Sequence, residues 1–319
     1  MSKKIPLIVV AGPTASGKTA LGVELAKRLD GEVVSADSMQ IYQGMDIASA
    51  MPTEDEMQGV PHHMIKFLPQ GERYSVAAYC ERANKCIADI VSRGKQPILV
   101  GGTGLYINSL VDNVSFTEEE TNLVLREKLN KRLETEGAQA LLDELASVDP
   151  ESAARLHVND SKRIVRALEL YYQTGVTITE QTRLSKQNGS PYVPFIIGLN
   201  ARDREFLYEL INRRVGIMAQ NGLVEEAKAC LENHKGTAAQ AIGHKELMPY
   251  FSGDMSLDEA LDNLRMQTRR YAKRQLTWFR RDERVNWVNI DDYAGFDELA
   301  DAVCCLCKDF LKKGEHDFA

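Results

Sequence analysis

A glycine-rich octapeptide near the N-terminus constrains the fold more than any other feature of this chain. It reads Gly12-Pro13-Thr14-Ala15-Ser16-Gly17-Lys18-Thr19 and matches the P-loop pattern. An apolar run at residues 5–10 precedes it and a helical pattern follows it, which is the context that the motif requires. Its glycines let backbone N–H groups turn towards a phosphate, and Lys18 neutralises phosphate oxygens. The octapeptide therefore predicts a binding site for a phosphate chain, with Thr19 placed to bind Mg²⁺.

Strand-like and helix-like segments alternate on both sides of this loop. Buried strands are predicted at residues 5–10, 32–35, 97–100 and 193–199, and an amphipathic helix at residues 76–91. Such alternation indicates an α/β fold of the P-loop NTPase-like kind, in which helices flank a parallel sheet. A final run at residues 285–290 predicts an edge strand.

The pattern changes after residue 116. Residues 117–191 are helix-rich, highly charged and poor in strand signals, with helix breaks at Asp149-Pro150 and Asn159-Asp160-Ser161. Because a strand pattern then returns, a helical insertion domain explains the change better than a tail domain. We expect residues 1–116 to form the first part of the P-loop core. Residues 192–319 would complete it with long helices at 203–234, 256–281 and 297–313.

Composition limits the possible functional classes. The 319 residues carry 39 Lys and Arg against 46 Asp and Glu, a net charge of −7, which argues against indiscriminate nucleic-acid binding. No apolar run reaches the roughly 18 residues of a membrane span. The six cysteines have neither disulfide-framework nor zinc spacing. We expect a cytoplasmic protein with free thiols and no membrane partner, and a monomer is the default state.

Two predicted strands end in residues suited to a ligand site. Asp37 follows the second strand, and at that edge of the sheet its carboxylate could bind a metal, act as a general base or cap a helix. The third strand ends in Gly101-Gly102-Thr103-Gly104. A nucleotide hydrolase usually has a second acidic magnesium ligand at such a strand end, so this ending weakens an ATPase or GTPase interpretation. Glycines here suit either close approach of a ligand or a tight turn.

Residues 265–284 form the most basic stretch of the chain. Eight Lys and Arg residues stand there against Asp282 and Glu283, with three aromatic residues between them. On a helix, Arg270, Lys273, Arg274 and Arg281 would share one stripe, a pattern that favours binding of a nucleic-acid backbone over a merely solvated face.

Together these segments resemble the tRNA dimethylallyltransferase (IPP transferase) family, bacterial type. The P-loop, the Asp37 and Thr103 segments and Pro61-His62-His63 carry the first half of the resemblance. Residues 163–169, 222–226, 241–247 and 268–280 carry the second half, in the order and over nearly the whole length that the family shows. The P-loop alone would be shared with many kinases, whereas the full series is highly specific.

This resemblance implies a reaction and its participants. A dimethylallyl group would pass from dimethylallyl diphosphate to N6 of adenosine-37, next to the tRNA anticodon, with release of diphosphate. The P-loop, residues 12–19, would hold the prenyl diphosphate although it looks like an ATP site, and Mg²⁺ would be the cofactor. The partners would be the tRNA anticodon stem-loop and the prenyl donor.

The resemblance also assigns roles to single residues. Asp37 would accept the N6 proton, Thr103 would help to hold the target base, and Arg214 would bind the diphosphate. Residues matching the tRNA-binding positions of the family are Asp37, Ser38, Met39, Gln40, Thr103, Arg126, Lys162, Arg163, Ile164, Val165, Arg166, Gln240, Ala241, Ile242, Gly243, His244 and Lys245. Two positions depart from the family pattern: His244 stands where tyrosine is common, and Leu210 where arginine is common.

Two other functions compete with this interpretation. In a P-loop small-molecule or nucleoside kinase, Asp37 would activate a hydroxyl and the insertion would be a lid, but residues 265–284 would have no purpose. A non-catalytic RNA-binding P-loop protein would bind tRNA whether or not Asp37 is present. Whether ATP competes for the P-loop stays open at this stage.

Overall fold

Six parallel strands form the central sheet of the protein. The computed structural model describes residues 4–114, 116, 122–185, 189–233 and 236–317. The strands are β1 Ile5–Ala11, β2 Gly31–Ser35, β3 His62–His63, β4 Gln96–Gly101, β5 Tyr192–Asn200 and β6 Val285–Asn289. They lie in the order β3-β2-β4-β1-β5-β6, and every neighbouring pair is parallel. The predicted parallel α/β sheet is confirmed, with β6 at one edge.

Helices cover both faces of this sheet. Ile8, Val10 and Ile98 pack with α1 (Lys18–Arg28) and α13 (Phe296–Asp317) into one fully buried core. Alternate strand residues such as Leu7 and Val9 are also buried but point to the opposite face. The helices α3 (Val76–Ser92) and α4 (Gly104–Val111) contact the sheet as well, with α3 against β2 and β4 and α4 against β4 and β5.

Two of the long helices differ from their predicted bounds. A single helix is predicted at residues 203–234, but α9 (Arg204–Gln220) and α10 (Leu223–Asn233) are separate because Gly222 takes a positive φ of 98° and ends the first of them. Residue 234 lies outside the described residues. The helix α12 (Leu257–Phe279) ends two residues before Arg281, so Arg281 is not on the predicted stripe. Two short helices, α2 (Glu54–Met57) and α11 (Met248–Phe251), complete this part of the chain.

Residues 112–190 form a compact unit of their own, and residues 1–111 with 191–319 form the other. The smaller unit contains α5 (Leu123–Val148), α6 (Pro150–Arg155), α7 (Ser161–Thr174) and α8 (Ile178–Ser185), so it is helical throughout its described part. Its core contains Leu129, Leu141, Leu145, Ile164 and Leu168. The predicted first residue of the insertion, 117, lies outside the described residues. None of the described helices of either unit is long and apolar enough to cross a membrane.

Candidate active site

A cavity of about 310 Å³ opens at the carboxyl ends of β1, β2 and β4. This is the edge where ligands bind in open parallel sheets. The P-loop contributes Thr14, Lys18 and Thr19, and the segment after β2 contributes residues 37–40. The lining also includes residues of α9 and α12, residues 48–50, 52 and 240–242, His62, and residues at the ends of β2 and β4. The cavity lies within the larger unit.

The P-loop leaves its anion-binding groups available. Gly12 has a φ of 148°, and a Cβ there would lie 2.7 Å from the carbonyl oxygen of Leu199, so only glycine fits. Gly17 precedes α1 without any side-chain cap, which leaves the first N–H groups of the helix to a ligand. The side chains of Ser16 and Lys18 donate to the Pro13 carbonyl oxygen at 2.8 Å and 2.5 Å and hold the loop in this shape.

Two half-buried cations, Lys18 and Arg214, lie at this loop. Desolvation and the nearby charge of Arg214 lower the pKa of Lys18 to about 7, far below its usual value. The charge of Asp37 has a weaker effect in the opposite direction. Burial also lowers the pKa of the Arg214 guanidinium, against the opposing influence of Asp37 and Glu56. Neither side chain forms an ion pair with any residue that the structure describes. Because two like charges that lie close together repel each other, the pair indicates a site completed by an anionic ligand.

The pKa of Lys18 makes anion binding depend on proton uptake. At pH 8 the free Lys18 amine is mostly neutral, and a bound diphosphate would favour its charged form, so about one proton should be taken up on binding. Calorimetry of inorganic diphosphate binding in two buffers of different ionisation enthalpy measures this number. Lys18→Arg, which stays charged, should show correspondingly less uptake, and at pH 6 the difference should vanish. Equal uptake at pH 8 by both proteins would contradict the assignment.

Asp37 is anchored through only one of its two carboxylate oxygens. It follows β2, and its Oδ1 accepts hydrogen bonds from the Met39 N–H at 2.8 Å and the Gln40 N–H at 3.4 Å. No described residue donates a hydrogen bond to Oδ2. The carboxylate thus both caps the following turn and offers a fixed acceptor to the cavity, so the capping and functional interpretations of this residue are compatible.

Thr103 joins the end of β4 to the segment after β2. Its hydroxyl accepts from the Ser38 N–H at 3.0 Å and donates to the Ser38 hydroxyl at 3.3 Å. The Thr103 N–H also donates to the Ala36 carbonyl oxygen at 3.1 Å. Asp37 therefore sits between two residues whose backbone is fixed by the neighbouring strand.

Gln275 was not singled out from the sequence, yet it connects the P-loop to β4. Its Oε1 accepts from the Thr14 N–H at 2.9 Å, and its Nε2 donates to the Gly102 carbonyl oxygen at 3.0 Å. A Cβ on Gly102 would come within 2.1 Å of that nitrogen, so the glycine is needed for this approach. Gln275 lies inside the motif at residues 268–280, in which the basic residues predicted binding of a nucleic-acid backbone. Tyr271, from the same helix, also lines the cavity.

Comparison with known proteins identifies the family to which this arrangement belongs. The family model described as IPP transferase matches residues 40–282. The chain belongs to the IPP transferase family. It is 49% identical over 303 residues to the tRNA dimethylallyltransferase of Caldanaerobacter subterraneus, a match that covers 94% of this chain and 96% of that protein. It is 45% identical to the Bacillus subtilis protein of the same name, over 90% and 91% of the two chains.

Solved structures agree with this membership. The full-length tRNA isopentenylpyrophosphate transferase from Bacillus halodurans superposes with a TM-score of 0.74 at 41% identity, covering 98% of this chain and 99% of that one. A eukaryotic dimethylallyltransferase acting on tRNA superposes with a TM-score of 0.81 at 27% identity, over 97% of this chain and 80% of that chain.

The predicted tRNA-binding segment at residues 240–245 is only partly exposed. The side chains of Gln240 and Lys245 are exposed, while Ala241 and Ile242 line the cavity. Gly243 is buried, and His244 is fully buried, with its Nε2 3.0 Å from Glu226 Oε1. The His244 side chain is therefore not at the surface of this structure, whereas the contact of residues 240–245 with tRNA stays a prediction.

The predicted tRNA-binding residues of the smaller unit divide in the same way. Lys162, Arg163 and Arg166 are exposed on α7, whereas Ile164 and Val165 belong to the core of the unit. Helical periodicity turns these two apolar side chains inward, so the exposed side chains of this segment are the three basic ones. Arg126 and Arg166 both bind the carboxylate of the fully buried Glu169, at 2.7 Å and 2.9 Å.

The basic stretch presents several cations to solvent. On α12, Arg270, Lys273 and Arg274 are exposed, and Arg280 and Arg281 are exposed just beyond its end. None of these five forms an ion pair with a described residue. Arg265, in contrast, forms an ion pair with Asp262, and Arg269 donates a hydrogen bond to the side chain of Asn212.

Proposed function

We propose that this chain is a tRNA dimethylallyltransferase, which transfers a dimethylallyl group from dimethylallyl diphosphate to N6 of the adenosine next to the anticodon. The observation that carries the proposal is the cavity itself. It combines an uncompensated anion site, Lys18 and Arg214 at the P-loop, with the carboxylate of Asp37, one oxygen of which has no described partner. The names of its relatives support the same reaction.

Bond breaking would be assisted at the diphosphate. As the carbon–oxygen bond to the dimethylallyl group breaks, its electron pair passes to the diphosphate, whose negative charge grows. Lys18, Arg214 and the N-terminal N–H groups of α1 stand where they would stabilise that charge. No acidic residue follows Gly101-Gly102-Thr103 at the end of β4, which accords with a reaction that hydrolyses no γ-phosphate.

Bond formation would be assisted at the adenine. The N6 nitrogen attacks the allylic carbon, and Asp37 Oδ2 accepts the proton that the nitrogen loses. An adenine N6 within a stacked loop is out of reach, so the base must leave the stack and enter the cavity. Ser38, Met39 and Gln40 line the cavity and would surround it there, and Thr103 would support them through its hydrogen bonds with Ser38.

The residues present suit a magnesium ion held mainly by its substrate. The Thr19 hydroxyl lines the cavity next to the P-loop, and it is a hard oxygen donor. Among the residues that the structure describes, no three His, Cys, Asp or Glu side chains cluster as metal ligands. Mg²⁺ commonly binds one or two protein groups together with phosphates and water. Bound there, it would add positive charge beside the leaving diphosphate.

The tRNA would meet exposed cations of both units. In the larger unit these are Lys245 and the basic residues of α12, and in the smaller unit they are Lys162, Arg163 and Arg166, with Arg126 beside Glu169. Gln240 is exposed, also lines the cavity, and would contact RNA as well. Their positive charge would bind the phosphate backbone without reading the sequence.

The reaction can be tested with two tRNAs that differ at one base. The purified protein, Mg²⁺ and dimethylallyl diphosphate are incubated with unmodified tRNA carrying adenosine next to the anticodon, or with the same tRNA carrying guanosine there. Mass spectrometry of the digested nucleosides should show dimethylallyl-adenosine from the first tRNA and no prenylated nucleoside from the second. Prenylation of both tRNAs, or of neither, would contradict the proposal, and phosphate transfer from ATP to a small acceptor would favour a kinase.

A further inference from the structure

One wall of the cavity is a loop without regular secondary structure. Ala48, Ser49 and Ala50 line the cavity, and the loop that holds them is closed by turn hydrogen bonds such as Met51 N–H to Asp46 O at 2.8 Å. Ala50 adopts a positive φ of 46°, which is unfavourable for a residue with a side chain. A loop of this kind needs support from outside to keep one conformation.

Glu226 on α10 supplies that support. Its two carboxylate oxygens accept from the Ile47 N–H at 2.7 Å and the Ala48 N–H at 2.8 Å. None of the described residues of α10 lines the cavity, so Glu226 can influence a substrate only through the residues that it holds, the loop among them. Hydrogen bonds from backbone N–H groups to a carboxylate are among the stronger hydrogen bonds of proteins.

His244 fixes the carboxylate in turn. Its Nε2 lies 3.0 Å from Glu226 Oε1, and because a carboxylate only accepts, this nitrogen carries the proton. The imidazole is fully buried, and its Nδ1 has no partner among the described residues, so Glu226 is the side chain that holds the ring by a hydrogen bond. Burial would raise the pKa of Glu226, but the hydrogen bonds from His244, Ile47 and Ala48 outweigh it and leave the pKa below its usual value.

The far side of the same loop contacts the segment that contains Asp37. Gln40 Nε2 donates to the Ala50 carbonyl oxygen at 3.3 Å, while Gln40 Oε1 accepts from the Ser35 hydroxyl at 2.8 Å. Gln40 also gives its N–H to Asp37 Oδ1. A continuous set of hydrogen bonds therefore runs from α10 through the loop to the carboxylate that would take the proton.

We propose that Glu226 and His244 form a positioning pair, which holds the loop at residues 46–50, and through it Gln40, in the arrangement that receives the acceptor adenosine. This inference rests on the proposed function. The pair acts on the acceptor side of the cavity and not on the P-loop. Its loss should therefore impair the reaction of bound tRNA while binding of the prenyl donor is preserved.

The test uses variants that keep or remove single hydrogen bonds. Glu226→Gln should lower kcat with tRNA about 10- to 100-fold, because a displacement of about 1 Å can cost that much. The dissociation constant of dimethylallyl diphosphate, measured by calorimetry, should not change. His244→Met should lower kcat as well, and His244→Gln, whose amide can donate from nearly the same place as Nε2, should restore most of it. Glu225→Gln, an exposed neighbour on α10, is the matched control and should behave as wild type.

A second measurement is independent of transferase activity. Hydrogen exchange of the Ile47 and Ala48 amides should be faster in Glu226→Gln than in wild type or Glu225→Gln. Unchanged exchange at these amides would overturn the anchoring, whatever the activity. Faster exchange with a wild-type kcat, or a loss of kcat and donor binding together, would overturn the positioning role. An inactive wild type would overturn the proposed function and with it that role, while the exchange data would still decide whether the anchor exists.

Discussion

Replacing Asp37 with asparagine should lower the single-turnover rate of tRNA prenylation about 10²- to 10⁴-fold, the usual contribution of a general base. The amide oxygen can still accept from the Met39 and Gln40 N–H groups, so the turn after β2 should persist. What the variant loses is the basic oxygen that faces the cavity. Binding of tRNA and of dimethylallyl diphosphate should therefore stay unchanged, as gel-shift titration and calorimetry would show.

Asp30→Asn is a suitable control for that experiment. Asp30 is exposed and its side chain is bound to Lys95 rather than to any part of the cavity. Asparagine also tolerates the positive φ of 50° at this position. The control should retain the wild-type rate. If Asp37→Asn kept that rate too, a base role for Asp37 would be wrong, and if it lost tRNA binding, the residue would be a binding group.

Replacing Arg214 with glutamine should lower kcat/KM about 10²- to 10³-fold, because one preorganised positive charge is removed from the leaving group. The ligand-free variant should be at least as stable as wild type, since the half-buried Arg214 lies beside the like charge of Lys18 without an ion-pair partner among the described residues. The pKa of Lys18 should rise once its neighbouring charge is gone, so less proton uptake is expected on diphosphate binding at pH 8.

Arg213→Gln provides the comparison on the same helix. Arg213 is exposed, whereas Arg214 lines the cavity, so the two variants remove the same charge from adjacent positions. Steady-state kinetics and thermal melting of both proteins are the measurements. Equal losses of kcat/KM would mean that only the overall charge matters. A strong loss of stability in Arg214→Gln would mean that the arginine has a structural role instead.

The parts of this protein that sequence reasoning could reach are those with local causes. Short apolar runs that alternate with helical segments predicted the parallel sheet, because each strand of such a sheet must bury both of its faces. Asp37 and Thr103 could be placed near the P-loop, because the ends of parallel strands meet at one edge of a sheet. These inferences need no knowledge of distant contacts.

Other features depend on tertiary packing. Glu226 reaches the loop at residues 47–48 from almost 180 positions away, and Gln275 reaches Thr14 across 261 positions. Both residues lie in segments that carry the family resemblance, but the sequence does not show which distant backbone groups they bind. A match to a motif also does not show which way each side chain points. Ile164, Val165 and His244 lie in segments for which RNA contact was predicted, and all three side chains are buried.

The most direct test of the central claim is the stoichiometry of a single turnover. Enzyme in excess over adenosine-bearing tRNA is mixed with Mg²⁺ and dimethylallyl diphosphate, and the quenched reaction is analysed for both modified nucleoside and released diphosphate. A single cavity that transfers the group directly predicts one dimethylallyl-adenosine for each diphosphate, appearing at the same rate. Diphosphate release without modified adenosine, or no release at all from a folded protein that binds tRNA, would contradict the account.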